Sequence, residues 1–150
     1  FKILKSVIAV NKRQRHYFTQ KIKDYFKGDL KGKKIAIWGL SFKPDTDDVR
    51  EAPAFDIINE LLANGAEVSA FDPEAMDNFK KLTTEIKYAA DQYDALKDAD
   101  ALAIITEWTL FRSPDFNKMK ELMKTPAIFD GRNIYGLTQM QKAGFYYNSV

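Results

Sequence analysis

Ile35-Ala36-Ile37-Trp38-Gly39-Leu40-Ser41-Phe42-Lys43-Pro44-Asp45-Thr46-Asp47-Asp48-Val49-Arg50 is the stretch whose reading decides the fold class. It opens on an apolar run, turns polar at Ser41, holds Lys43 and Arg50 beside three aspartates and a proline, and precedes an apolar-periodic run from Pro53. That order predicts a strand, a long polar loop and a helix. A loop this polar is either a solvated connector or a binding surface, and the residues gathered around it, considered below, favour binding of a phosphorylated ligand.

The same alternation continues downstream. Further strands are expected at 67–72, weakly at 86–89, at 101–106, at 127–130 and at 145–148, and helical patterns fall between them at 53–64, 74–82, 92–99, 115–123 and 137–143. Alternating strands and helices predict an α/β fold, a Rossmann-like parallel sheet of about six strands with helices on both faces. Pro53 suits a first helical turn, where its missing N–H costs nothing. Ala52 before it has no side chain to cap with, leaving Asp48 or Glu51 to supply the negative charge a helix start favours.

Upstream, Leu4, Val7, Ile8, Phe18, Ile22, Tyr25 and Phe26 recur at spacings of three and four without a Gly or Pro, the pattern of one long N-terminal helix with an apolar stripe. Residues 1–27 carry eight Lys or Arg against Asp24 alone, a net +7, which leaves −5 on the rest of a chain whose total is +2. Such a basic helix is read as a connecting element with solvated charges, because no nucleic-acid-binding motif accompanies it. His16, in its basic run, is read as a surface residue. Gly28 and Gly32 among four charges mark a helix stop and linker over 28–33, and the compact domain is expected over 34–150.

Composition excludes several chemistries. The 150 residues contain no cysteine and one histidine, so disulfides, thiolate nucleophiles, Cys-type zinc sites and histidine metal clusters are absent. Asp45, Asp47 and Asp48 lack the glycine and distal glutamate of a calcium loop. There is no apolar run near 18 residues and no signal-peptide pattern, so neither a membrane nor nucleic acid is expected as a partner, and the default location is cytoplasmic. The chain begins at Phe1 rather than methionine and opens inside a helical pattern, from which a piece of a longer protein is expected.

In a parallel sheet the residues after each strand gather at one edge, and open sheets bind ligands in the crevice there. Those residues are Gly39 to Lys43, Asp72-Pro73, Glu107-Trp108 and Gly131-Arg132-Asn133. Lys43 and Arg132 suit an anionic ligand, and Phe42 suits a base or sugar. A dinucleotide fingerprint is not present, since the glycine set G-x-G-x-x-G is missing after Gly39, and Asp72 reads as a strand end rather than a ribose ligand. No nucleophile elbow and no phosphate loop ending in Gly-Lys-Ser/Thr occur either.

G-L-S-F-K-P-D-T-D-D-V-R-E-A-P at 39–53, then F-D-P at 71–73, T-E-W at 106–108 and D-G-R-N at 130–133, resemble in order the C-terminal domain of the UDP-glucose 6-dehydrogenase family, and the likeness runs over essentially the whole chain. It implies a Rossmann-like domain that holds the nucleotide half of a UDP-sugar, with 1–27 as the end of a central interdomain helix that also helps form a homodimer. By the same resemblance Phe42, Lys43 and Arg132 would contact the UDP-sugar, and Arg50 would reach across an interdomain cleft to NAD. The family oxidises the sugar C6 alcohol to a carboxylate in two hydride transfers to NAD through a cysteine thioester. The N-terminal glycine fingerprint and the cysteine segment are missing here, so this chain by itself is not expected to be catalytic. Ala52 stands where the family commonly has serine. The alternatives are a UDP-N-acetylmannosamine or GDP-mannose dehydrogenase domain, or a non-catalytic nucleotide-binding or dimerisation module.

Overall fold

A computed structural model describes residues 2–150, with side chains from Ile3 onward. Phe1, on which the expectation of a longer protein rests, lies outside them. The elements are α1 (Lys2–Tyr25), β1 (Lys34–Trp38), α2 (Pro53–Ala63), β2 (Glu67–Phe71), α3 (Met76–Lys80), β3 (Lys87–Tyr88), β4 (Ala101–Ile104), α4 (Phe116–Leu122), β5 (Ala127–Asp130), α5 (Leu137–Lys142) and β6 (Tyr146–Ser149).

All six strands pair in parallel in the order β3-β2-β1-β4-β5-β6, the doubly wound arrangement that the alternation predicts. The pleat explains the two cores. Along β1, Ile35 and Ile37 pack on one face with α1 and α2 residues such as Ile22, Ile58 and Leu61. Ala36 and Trp38 face the other layer, where Phe111, Met119 and Met140 cover them. Trp38 stacks on Phe111 with centroids 4.8 Å apart.

Three elements fall to about half of their sequence patterns or less. The 92–99 pattern yields one 3₁₀ turn, Asp94–Leu96, capped by aspartates at its start and ended where Lys97 turns extended (ψ 121°) and Asp98 takes φ +57° with its N–H on the Leu122 carbonyl. Asp94 N donates to Asp91 Oδ1 at 2.7 Å, and Ala90 N to Asp94 Oδ2 at 2.9 Å. The 74–82 pattern shrinks to α3, preceded by a turn at Glu74 and Ala75 whose N–H groups donate to Asp72. The third strand has two residues. No helix among the described residues is long and apolar enough to cross a membrane.

α1 divides into two halves. Phe18, Thr19 and Ile22 are buried against the sheet layer, a contribution of about 1.5–3 kcal/mol for each large apolar side chain. Ile3, Leu4, Val7, Ile8 and Val10 in its first half are exposed. Two contacts tie α1 to α2: Arg15 pairs with Asp56, and His16 Nδ1 lies 2.7 Å from Glu60 Oε1. His16 is thus an exposed residue with a partner.

Candidate functional site

The loops after β1, β2, β4 and β5 meet at one edge of the sheet, and two buried aspartates brace them. Asp72 Oδ2 accepts from Leu40 N at 2.8 Å, Ser41 N at 3.0 Å and Trp108 Nε1 at 3.1 Å. Its Oδ1 accepts from Glu74 N at 2.9 Å and Ala75 N at 2.8 Å. Thr106 Oγ1 adds a bond to the Ser41 carbonyl at 2.8 Å. The path of the chain into Phe42 and Lys43 is therefore held by groups that follow two other strands, β2 and β4.

Gly39 is required at the start of this loop. Its φ is +101°, and a Cβ there would stand 2.5 Å from the Thr106 backbone N and 2.6 Å from Thr106 Oγ1.

Asp130 plays the same part after β5. Its Oδ1 accepts from Arg132 N at 2.8 Å, and its Oδ2 from Ile134 N at 2.8 Å and the Tyr147 hydroxyl at 2.6 Å. Burial and the nearby Asp130 charge push the Tyr135 hydroxyl above its ordinary value, and burial with the bond to Asp130 does the same for Tyr147. Both stay neutral donors. Gly131 has no room for a side chain, since a Cβ would meet the Ile104 carbonyl at 2.9 Å.

The cations sit on this frame. Arg132 donates its Nε to the Ile105 carbonyl at 2.7 Å and is ion-paired with Glu107 Oε2 at 3.4 Å, and its two terminal nitrogens make no hydrogen bond among the described residues. Lys43 is exposed and its ammonium has no hydrogen-bond partner among the described residues; Phe42 is 47% exposed. Phe42, Lys43 and Arg132 all line one cleft of about 450 Å³.

Arg50 is not in that cleft lining. It folds back on Asp48, with Nε 3.0 Å from Oδ1 and Nη2 2.9 Å from Oδ2, and its side chain is 88% exposed. The Arg50 hydrogen bonds pull Asp48 down to about 2. Asp48 is thereby occupied as a partner of Arg50, and Ala52 at the α2 N-cap makes no side-chain bond.

Sequence reasoning missed one wall. Asn11, Gln14, Arg15 and Phe18 bring α1 to the cleft that Glu107 and Arg132 also line. Their spacing of three and four places them on one helical face, but the sequence does not say that this face meets the strand ends. Trp108, left without a role by its sequence position, proves to be a brace: besides Asp72 its Nε1 lies 3.2 Å from Ser41 Oγ.

A dinucleotide does not fit the β1–β2 edge. An acid at the end of β2 would serve a ribose there, but both Asp72 oxygens are consumed by five N–H groups, and Gly39 is the sole glycine of the 39–50 loop.

Residues 36–137 match the model of the UDP-glucose/GDP-mannose dehydrogenase family, UDP binding domain. The chain belongs to this family. It is 43% identical over 149 residues to a UDP-glucose 6-dehydrogenase of Rhizobium meliloti, covering 99% of this chain and 34% of that protein. It is 42% identical over 151 residues to UDP-glucose 6-dehydrogenase TuaD of Bacillus subtilis, covering 100% of this chain and 32% of that one. Among solved structures, a UDP-glucose dehydrogenase from the archaeon Pyrobaculum islandicum superposes with a TM-score of 0.79 at 29% identity, over 96% of this chain and 31% of its own. This family domain thus spans about a third of the length of the curated relatives it matches.

Proposed function

We propose that this domain holds the UDP-sugar for an NAD-dependent UDP-glucose 6-dehydrogenase. The convergence of Phe42, Lys43 and Arg132 on one cleft is the observation that carries the reading. The free terminal nitrogens of Arg132 suit a two-pronged contact to a diphosphate, and the Lys43 ammonium adds a compact charge beside it. Phe42 offers a flat apolar face to the base or sugar.

NAD supplies the hydride acceptor in such an enzyme, and it would be held mainly by a domain other than this one. Arg50 would reach it from here, since its solvent-facing guanidinium lies outside the sugar-nucleotide cleft on the same loop. The oxidation of C6 and its thiol step would likewise belong to other parts of the enzyme, as the chain has no cysteine. Residues 1–27 would be the end of the central helix, with the exposed Ile3, Leu4, Val7 and Ile8 covered in a homodimer. Residues 28–33 would serve as linker and 34–150 as the binding domain.

Calorimetric titration of UDP tests the site. Wild type is expected to bind, and Arg132→Ala to bind on the order of 10- to 100-fold more weakly, the worth of a charged hydrogen bond. Equal affinity in both would remove Arg132 from the site. Turnover of the full-length enzyme with UDP-glucose, UDP-N-acetylmannosamine and GDP-mannose would assign the sugar.

A further inference from the structure

Glu107 is the one acidic side chain among the described residues that line the cleft, beside the cations proposed to hold a diphosphate. A negative charge there opposes an anionic ligand, at a cost set by its distance from the phosphates. Pairing with Arg132 accounts for only one of its oxygens. Glu107 Oε2 forms an ion pair with Arg132 Nε at 3.4 Å, while the same Nε donates to the Ile105 carbonyl at 2.7 Å. The Arg132 backbone is held separately by Asp130. Glu107 is partly buried, and its Oε1 has no hydrogen-bond partner among the described residues.

A carboxylate offers only acceptors, so it suits donors that travel with the diphosphate. We propose that Glu107 reads hydroxyl groups of the ligand: Lys43 and Arg132 take the diphosphate while Glu107 accepts from a vicinal hydroxyl pair on the attached ribose or hexose. This rests on the UDP-sugar reading above and adds to it a residue that separates a nucleotide sugar from a bare polyphosphate.

Titration of pyrophosphate, UDP and UDP-glucose into wild type and Glu107→Ala tests it. The variant is expected to bind pyrophosphate as tightly as wild type or a few fold more tightly, because a repulsive charge is gone, and to bind a hydroxyl-bearing ligand about tenfold more weakly. Equal weakening of UDP and UDP-glucose assigns the ribose; weakening of UDP-glucose alone assigns the hexose. Weakening of pyrophosphate together with UDP would overturn the proposal, since Glu107 would then act only through Arg132. So would unchanged affinity for both nucleotides, or equal tightening of all three ligands. Failure of wild type to bind either UDP or UDP-glucose would overturn the UDP-sugar reading itself and the role of Glu107 with it.

Discussion

Trp108 donates its indole N–H to the Asp72 carboxylate at 3.1 Å, linking the loop after β4 to the end of β2 beneath the start of the Phe42-Lys43 segment. Because the same oxygen holds Leu40 N and Ser41 N, the loop that carries Phe42 and Lys43 has little freedom to drift from the sheet edge.

Asp72→Asn should therefore damage both stability and binding. It removes the charge that five N–H groups point at and turns an amide donor among them. A loss of about 3 kcal/mol is expected, read as a lower urea midpoint at unchanged slope, with weaker UDP binding below that midpoint. Trp108→Phe, which removes one donor and keeps most of the ring, should cost about 1 kcal/mol.

Gly39→Ala combines a positive φ with a collision against Thr106, so a loss of about 3 kcal/mol or more is expected. Gly131→Ala has only the Ile104 carbonyl to displace and should cost about 1–2 kcal/mol. Thermal melts of the two variants side by side would show the difference.

Asp48 is held at about 2, against an ordinary 3.8, by its bonds to Arg50. The depressed value means that the pair's contribution is present above pH 3.8 and is lost as pH falls through about 2. In Arg50→Ala the Asp48 carboxyl should titrate higher than in wild type but stay below its ordinary value, because the backbone N–H of residue 50 still donates to it at 2.9 Å, as followed by carbon NMR of the side chain. Stability at neutral pH should change little, because the pair is exposed.

At the alkaline end, burial favours the neutral form of Tyr135 and Tyr147 and raises Tyr88 from 10.0 to about 12. The unfolded chain loses these protons first, so stability should hold up to about pH 10 and fall above it. Tyr147→Phe should blunt that fall, and urea melts between pH 8 and 11 would record it.

Much of the plan is written in local sequence pattern. The six strands follow from apolar runs separated by polar loops, and the crevice follows from their being parallel, so Phe42, Lys43 and Arg132 were identifiable as neighbours. The 92–99 segment is shorter than its periodicity suggests because the Asp98 N–H goes to the Leu122 carbonyl of another element, which apolar spacing does not reveal.

The alternation of strands and helices, the lack of cysteine and the cations that follow the strands depend on local pattern and residue type alone. That Asp72 is a brace, that Trp108 and Ser41 share it, that α1 forms a cleft wall and that Arg50 turns to Asp48 outside the cleft depends on packing. The reason is sequence separation: Trp108 lies 36 residues from Asp72, and Arg15 lies 41 residues from Asp56. Pairings at that range depend on how layers pack, which a period of two or 3.6 residues does not encode.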